Sequence, residues 1–435
     1  MQGSLFRPPE GRLRWVLIFW IFLLSAIAYL DRVNISIAGK EIAKEFHLSN
    51  VQLGWVFSAF LLGYAFFQAP AGRIADRLGP RLVITAGVVW WGVFTVLITF
   101  LPRGLSTVLW LMIAARFCLG IGEAVVYPAS NCVVAAWIPS SERGIANGFI
   151  FAGVGFGSGL TSPLIVYIMT HYGWRSAFFV SAALGLLAGA VWYVIARDRP
   201  RTHPWASEKE AAYIERGLPA NSRAGRAERL PWAVIFQNPD IWAITFSYFA
   251  YGYAAQIFFS WFFIYLSEVR GLNLRQSSYF TMLPFIAMAV GSTVGGLISD
   301  RLTKRFGRRI GRAGIAVVGI GLAAVFIALG TQVASPQLAS VVLAGGAGAL
   351  YLSQSSFWSV SADIGGASAG SVSGLMNMGG QLGGALTASA TPAIANHFGW
   401  SASFLVAAAL CTAGALVWLS VGRTASETSA LASQR

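Results

Sequence analysis

The chain has 435 residues, of which 56% are hydrophobic and only 11% are charged, and its mean hydropathy is +0.63. A soluble domain carries about 25% charged residues, so this composition excludes an ordinary soluble protein and predicts an integral membrane protein. The net charge of +14 does not indicate a nucleic-acid partner, because most Lys and Arg residues fall in alternate loops between apolar segments. The three cysteines show neither a disulfide framework nor a metal-ligand spacing, and we expect no metal or cofactor.

Apolar runs close to the ~20 residues needed to cross a bilayer recur along the chain and predict twelve transmembrane helices. We place them at 14–36, 51–71, 82–101, 107–131, 144–168, 174–196, 240–266, 277–299, 313–331, 336–360, 370–395 and 400–422. Basic residues concentrate in both tails and in the loops on one side, which predicts that both termini are cytoplasmic. We expect the membrane to be a bacterial inner membrane.

Between the sixth and seventh predicted spans lies a polar segment, residues 197–239, which we expect to be a cytoplasmic linker. Within it, Ser207 and Glu210 have the spacing of a capping box at the start of the stretch SEKEAAYIERG. This pattern predicts a short amphipathic helix at the membrane surface.

The chain repeats itself at a shift of 226 residues. The stretch HYGWRSAFFV at 171–180 matches HFGWSASFLV at 397–406, and the same shift superposes Gly153 on Gly379 and Gly157 on Gly383. The repeat predicts two six-helix bundles, 1–196 and 240–422, followed by a cytoplasmic tail at 423–435. Both bundles start on the same side, as in transporters with parallel repeats. The predicted fold is therefore an all-α, polytopic membrane protein with two pseudo-symmetric bundles.

A second repeated pattern follows spans two and eight. GRIADRLGPR at 72–81 and GLISDRLTKRFGRR at 296–309 share a Gly-x-x-x-Asp-Arg motif. An aspartate in such a loop can cap a helix N-terminus or pair with a neighbouring Arg. We expect these loops to act in gating through Gly72, Asp76, Arg77, Arg81, Asp300 and Arg301.

Charged residues inside predicted spans are rare and indicate function. Span one contains Asp31 and Arg32, and span four contains Arg116 and Glu123. Arg116 and Glu123 are seven residues apart, so they face the same side of a helix about 10 Å apart along its axis. Their counterparts at the 226-residue shift are apolar, so the charges belong to one half of the protein.

With these features the sequence resembles the major facilitator superfamily over essentially its whole length. YLDRVNIS at 29–36, AFLLGYAFFQAPAGRIADRLG at 59–79 and RFCLGIGEAVVYP at 116–128 resemble the anion:cation symporter branch. That branch includes bacterial proton-coupled importers of galactonate, glucarate and hexuronates, as well as importers of aromatic acids. The resemblance implies a transporter rather than an enzyme.

Two ion pairs are favoured by the four charges and implied by the resemblance: Asp31 with Arg116, and Arg32 with Glu123. Protonation of Glu123 would leave Arg32, which cannot lose its charge, ready to bind a substrate carboxylate. We therefore expect proton coupling through Asp31, Glu123 and Arg116, with Arg32 binding the anion.

The second half offers neutral polar groups, and we expect Gln256, Ser359 and Asn377 to bind substrate together with Trp261. Tyr29, Tyr64 and Asn377 lie in stretches resembling the branch's substrate-contacting positions. Span seven contains no Arg or Lys, whereas the glutamate-type carriers place a second cation there, which favours a monocarboxylate.

The leading hypothesis is a monomeric, proton-coupled importer of an organic anion, most plausibly a sugar acid. Alternatives are an importer of an aromatic or other monocarboxylate, and a sensor that binds without transporting. The expected partners are the organic anion, protons and the lipid bilayer.

Overall fold

The computed structural model describes residues 11–48, 50–102, 107–218, 230–262 and 265–421, and within these ranges the fold is helical without strands. The helices up to the central segment are α1 (Leu13–Phe46), α2 (Asn50–Leu78), α3 (Pro80–Leu97), α4 (Val108–Glu123), α5 (Val126–Trp137), α6 (Arg143–Tyr172), α7 (Trp174–Ile195) and α8 (Glu208–Gly217). The later helices are α9 (Trp232–Gln237), α10 (Pro239–Ser260), α11 (Leu274–Arg308), α12 (Ile315–Gln332), α13 (Pro336–Leu352), α14 (Gln354–Gly365), α15 (Ala369–Phe398) and α16 (Trp400–Val417).

Seven helical segments of the described ranges are long and apolar enough to cross a membrane. Two of them, 279–332 and 336–387, contain 54 and 52 residues. Because a crossing needs ~20 residues, each of these two is long enough for more than one span. The protein is therefore a helical, integral membrane protein, and the number of twelve spans stays a prediction.

Two predicted spans are interrupted helices. The fourth is divided between α4 and α5 at residues 124–125, and the tenth between α13 and α14 at Ser353. Beyond α10, residues Tyr265–Val269 form a π-helical turn. Hydropathy does not show such interruptions, since the apolar run continues through them.

The described chain divides into two compact units that exchange short stretches of sequence. Unit 1 comprises 1–140, 149–227 and 366–374, and unit 2 comprises 141–148, 228–365 and 375–435. The start of α6 is grouped with unit 2 and the start of α15 with unit 1, and the bundle boundaries at 1–196 and 240–422 stay a prediction.

In unit 1, α1 is joined to α7 by polar contacts at three levels. Trp20 Nε1 donates to the carbonyl of Ala188 at 2.8 Å, and Asn34 Nδ2 donates to Ser181 Oγ at 3.3 Å. At the far end, Glu45 pairs with Arg175. Hydrogen bonds between membrane helices define their relative depth as well as their contact.

The repeated glycines of α6 and α15 perform equivalent packing within each unit. A Cβ added at Gly157 would lie closer than 3.0 Å to the carbonyl oxygen of Ala26 on α1. A Cβ at Gly383 would lie equally close to the carbonyl oxygen of Phe249 on α10. Glycine therefore permits backbone-to-backbone packing at both positions.

The two matching stretches of the repeat, 171–180 and 397–406, also share a backbone conformation. Gly173 (φ 79°, ψ 163°) precedes α7, and Gly399 (φ 83°, ψ 161°) precedes α16. These left-handed values favour glycine, and each is followed by a tryptophan that starts the helix.

The described part of the central segment contains the short helix that the sequence predicts. Helix α8 forms where the capping box predicts it, and Ser207 Oγ accepts a hydrogen bond from the Glu210 amide at 3.2 Å. Trp137 Nε1 on α5 donates to the carbonyl of Arg197 at 2.9 Å, and Gly217 lies against Pro139. Residues 219–229 of the segment lie outside the described ranges.

Candidate functional site

Close packing of α2 and α4 forms the scaffold of the candidate site in unit 1. A Cβ added at Gly63 would lie closer than 3.0 Å to the carbonyl oxygen of Phe117, and one at Gly120 would collide with the carbonyl oxygen of Phe60. These two glycines let the backbones touch. The contact places Phe60 and Tyr64 of α2 beside the charged residues of α1 and α4.

Arg32 and Glu123 form a buried ion pair that joins α1 to α4. The distance from Arg32 Nε to Glu123 Oε2 is 2.8 Å, and the Glu123 side chain is fully buried. The Arg32 guanidinium also lies over three aromatic rings, 4.7 Å from Tyr29, 4.2 Å from Tyr64 and 5.2 Å from Phe60. The expected pairing of Arg32 with Glu123 is thus present, within an aromatic enclosure that favours a guanidinium.

Asp31 and Arg116 are both buried, but the structure does not bring them into direct contact. Neither carboxylate oxygen of Asp31 nor the Nε of Arg116 has a hydrogen-bond partner among the described residues. The Phe60 ring lies 5.2 Å from the Arg32 guanidinium and 4.7 Å from that of Arg116, so the two cations share one neighbour. Of the two expected pairs, Arg32 with Glu123 is the one that forms an ion pair among the described residues.

A helix interruption lies next to Glu123. This residue ends α4, and Pro128 follows in the first turn of α5. Proline has no N–H to bond to the carbonyl of Ala124, which accounts for a break at this point. Tyr127, beside the proline, hydrogen-bonds Ser25 of α1 through its hydroxyl at 2.8 Å. The dihedrals of Ala124 (φ −57°, ψ −24°) and Val125 (φ −75°, ψ −23°) remain helical, so the missing bond loosens the helix locally without redirecting it.

Buried polar atoms without partners accumulate around this cluster. Among the described residues they include both Asp31 oxygens, Glu123 Oε1, Arg116 Nε and the Tyr64 hydroxyl. Buried polar atoms are nearly always hydrogen-bonded in proteins, so such a concentration indicates a place that accepts water, protons or a polar ligand.

The neutral residues predicted to bind substrate lie in unit 2. Gln256 Nε2 donates to Ser260 Oγ at 2.7 Å, one turn along α10. Ser359 Oγ, fully buried on α14, accepts from Asn147 Nδ2 at 3.3 Å. The Trp261 ring lies 6.2 Å from that of Trp400. Asn377 is buried on α15.

A polar network in unit 2 was missed by sequence reasoning. The Tyr248 hydroxyl accepts hydrogen bonds from Gln354 Nε2 at 3.0 Å and from Trp358 Nε1 at 3.2 Å. Gln354 starts α14 inside an apolar run, so a search for uncharged polar residues within spans would have found it. Phe60 was also missed, because an apolar ring gives no signal in an apolar helix.

The two loop-motif aspartates cap helices. Asp76 accepts hydrogen bonds from the amides of Gly370 (2.9 Å) and Ser371 (2.8 Å), and from the Ser371 hydroxyl, at the start of α15. Asp300 accepts from the amides of Gly144 (2.9 Å) and Ile145 (2.7 Å) at the start of α6. The capped amides are related by the 226-residue shift, so the repeat extends to these contacts.

The other loop-motif residues have different surroundings. Gly72 lies against the backbone of Gly370, where a Cβ would not fit. Arg81 Nε donates to the carbonyl of Tyr193 at 2.9 Å. Arg77 and Arg301 are exposed, and Asp300 pairs with Arg312 at 2.7 Å.

Comparison with known proteins places the chain among transporters. It is 35% identical over 399 residues to the probable sulfoacetate transporter SauU of Cupriavidus necator, with 91% of each chain covered. It is 33% identical over 411 residues to the chloroplastic ascorbate transporter of Arabidopsis thaliana, covering 93% of this chain and 74% of that one. It is 32% identical over 310 residues to the probable galactarate/D-glucarate transporter GudP of Bacillus subtilis, covering 68% of each.

The fold agrees with these sequence relatives. The proton:xylose symporter XylE, solved with 6-bromo-6-deoxy-D-glucose bound, superposes with a TM-score of 0.73 at 16% identity, covering 95% of this chain and 97% of that one. The family profile of the Major Facilitator Superfamily matches residues 21–388. The chain therefore belongs to the Major Facilitator Superfamily and is a transporter by family, not an enzyme.

Proposed function

We propose that the protein imports an organic anion by proton-coupled symport, with Arg32 as the anion-binding cation and Glu123 as the proton acceptor. The single observation that carries the proposal is the buried Arg32–Glu123 pair at 2.8 Å. Buried ion pairs stabilise proteins poorly compared with apolar packing, so a functional reason for this pair is favoured.

The coupling follows from the charge balance of the pair. While Glu123 is ionised, it competes with any external anion for Arg32. When Glu123 takes a proton, Arg32 keeps its charge and can bind a carboxylate through two parallel hydrogen bonds. Proton and anion then favour each other's binding, as linkage requires. Asp31, which is also buried on α1, is the second candidate for proton exchange.

The relatives and the site together support a class of substrate. Relatives bear names that refer to sulfoacetate, ascorbate and galactarate or glucarate. These are small oxygen-rich anions, and a guanidinium matches the oxygens of a carboxylate or a sulfonate. We propose a sugar acid as the substrate of this chain, bound by the cation of unit 1.

A second candidate substrate is an aromatic or other monocarboxylate. The observation in its favour is the ring of Tyr29, Phe60 and Tyr64 around Arg32, since these rings could pack on an aromatic substrate. A sensor that binds without transporting would use the same site but would show no counterflow.

The test is uptake into proteoliposomes with an imposed proton gradient. The panel contains radiolabelled glucarate, galactonate, sulfoacetate, ascorbate and benzoate, and wild type is compared with Glu123→Gln and Arg32→Ala. Arg201→Gln, which removes an exposed cation far along the sequence from the site, is the control. We expect wild type and control to accumulate one acid when the gradient is directed inward.

The two site variants should fail in different ways. Glu123→Gln should keep exchange of labelled for unlabelled anion and lose accumulation, because it cannot release a proton. Arg32→Ala should lose binding and exchange together. Uptake that ignores the gradient while the substrate is bound would refute the coupling, and wild-type behaviour of both variants would make the charges structural.

A further inference from the structure

Helix α1 carries Asp31 and Arg32, and it is long compared with the membrane. Its 34 residues extend about 51 Å, whereas the hydrocarbon core of a bilayer is about 30 Å thick. The helix is therefore longer than the hydrocarbon core is thick, and each of its ends is held by a carboxylate that the coupling scheme does not use.

At the N-terminal end of α1 the carboxylate is supplied by α8. Glu210 Oε2 accepts from the amide of Leu13 at 3.3 Å, and Oε1 accepts from the amide of Arg14 at 3.2 Å. These are the first two amides of α1, which have no partner within the helix, and the N-cap residue Arg12 makes no side-chain capping bond. Glu210 thus replaces the missing cap, and its negative charge interacts favourably with the positive N-terminal end of the helix dipole.

The carboxylate of Glu210 serves α1 in preference to its own helix. In a complete capping box it would turn back to the amide of Ser207, but both oxygens are directed to α1 instead. Arg14 reinforces the contact, since its guanidinium lies 3.3 Å from Glu210 Oε1 and 4.9 Å from the centre of the Tyr213 ring. The Glu210 side chain is only 1% exposed, so the contact is shielded from water.

At the opposite end of α1, Glu45 binds the start of α7. Its Oε2 accepts from Trp174 Nε1 and from Arg175 Nη1, each at 2.8 Å, and its Oε1 contacts Arg175 Nη2 at 2.5 Å. Arg175 Nε also donates at 3.0 Å to the carbonyl of Thr99, in the 3-10 turn that follows α3. A fork of this kind defines a position more strictly than a single charge contact.

We propose that Glu210 and Glu45 are positioning residues that hold the two ends of α1 and so keep Arg32 in register with Glu123. This inference rests on the proposed function, because the register matters through the anion site. A helix held at both ends cannot slide or rotate without breaking one contact. The contacts of Glu210 and Glu45 therefore determine the depth of Arg32 relative to α4.

The chain offers a matched control for each position. Glu215 is also on α8 and also pairs with an arginine, Arg201, but its side chain is 36% exposed and this pair does not involve α1. Glu41 lies one turn before Glu45 on α1 and is exposed. The variants are Glu210→Ala and Glu45→Ala, and the controls are Glu215→Ala and Glu41→Ala.

The first measurement is amide hydrogen exchange of the purified protein at residues 12–17, which needs no substrate. Loss of a helix cap should raise exchange there about tenfold in Glu210→Ala and leave Glu215→Ala unchanged. Unchanged exchange in Glu210→Ala would overturn the capping contact. Glu210→Gln, which keeps one acceptor oxygen, should be intermediate and replaces the alanine variant should that one not fold.

The second measurement is the concentration dependence of uptake. A helix free to shift should hold Arg32 correctly for a smaller fraction of the time, so KM should rise about fivefold in Glu210→Ala and Glu45→Ala. The maximal rate per folded molecule should change less than about twofold. Saturable wild-type uptake with unaltered KM in both variants would overturn the positioning role alone. Absence of saturable uptake in wild type and controls would overturn the proposed function, and the positioning role with it.

Discussion

At the scale of the residue, Arg32 combines three properties that no other side chain offers. Its charge meets Glu123 at 2.8 Å, its plane lies over Tyr29 and Tyr64, and it cannot lose its proton. A cation that merely balanced a buried carboxylate would need neither the rings nor the planar fork. The arrangement is therefore specific for guanidinium.

This specificity predicts the effect of Arg32→Lys. Lysine keeps the charge but cannot bind an anion through two parallel bonds or stack on the rings. We expect affinity for the transported anion to fall about tenfold or more, corresponding to at least ~1.4 kcal/mol. The measurement is competition for uptake, with Arg201→Lys as control, and equal affinity of Arg32→Lys and wild type would show that charge alone suffices.

His203, in the central segment, is a residue whose role depends on pH. Its Nε2 lies 2.7 Å from the carbonyl of Ile195, and its Nδ1 accepts from the amide of Trp205 at 3.0 Å. Nδ1 must therefore be unprotonated. Burial lowers the pKa of His203 below its usual value of 6.5, because the charged ring would lose contact with water.

The lowered pKa of His203 predicts that acidic pH destabilises the central segment around this residue. Because the folded pKa is below the unfolded one, the stabilisation is complete above about pH 6.5 and is lost as pH falls towards the folded pKa. We expect amide exchange at residues 203–206, corrected for intrinsic rates, to become faster between pH 7.5 and pH 5.0. His203→Gln should lack this pH dependence, and an equal dependence in the variant would assign it to another group.

At the scale of the element, glycine contacts determine how closely α1 and α6 approach. Gly157 lies against the backbone of Ala26, whereas Gly159, two residues further along α6, has no neighbour within 4 Å of an added Cβ. Helix α6 thus contains one glycine at a tight helix contact and, two residues later, one glycine with open space around it.

The pair predicts opposite results for the same substitution. Gly157→Ala should destabilise the protein by about 1–3 kcal/mol, because the methyl group forces α1 and α6 apart. Gly159→Ala should be neutral or slightly stabilising, since alanine favours helix over glycine. Thermal unfolding in one detergent compares them, and equal destabilisation by both changes would contradict the packing role of Gly157.

At the scale of the whole molecule, each unit includes a short stretch from the other half of the sequence, and an aspartate caps the helix that starts there. The two aspartates have different further contacts. Asp300 also pairs with Arg312, which is only 1% exposed, whereas Asp76 receives a weaker fourth contact from the thiol of Cys132 at 3.3 Å.

This difference predicts unequal costs for the two caps. Asp300→Ala removes the carboxylate from a buried guanidinium and should cost about 3–5 kcal/mol. Asp76→Ala removes the acceptor of two amides at the start of α15 and should cost about 1–2 kcal/mol. Unfolding of both variants beside Arg301→Ala, which changes an exposed residue, decides the order, and an equal loss would mean that Arg312 finds another acceptor.

The sequence by itself determined the membrane class, the helical fold, the repeat and the superfamily, because hydropathy, loop charge and spacing are properties of the chain alone. It also selected Arg32 and Glu123, since charges within apolar runs are conspicuous, and it located α8 from Ser207 and Glu210. Orientation in the membrane, proton coupling and the sugar acid remain predictions, because none of them is a property of spacing or geometry.

Only the tertiary structure decided which charges meet. Pairing depends on the depth and rotation of each helix, and the sequence does not specify these to within the ~3 Å of a hydrogen bond. The sequence therefore predicts a pair of Asp31 with Arg116 that the structure does not form. Phe60, which the sequence does not distinguish from other apolar residues, has its ring centre 5.2 Å from the Arg32 guanidinium and 4.7 Å from that of Arg116. The same reason explains Glu210: its spacing predicts a contact within its own helix, but the fold brings the unpaired amides of α1 within its reach.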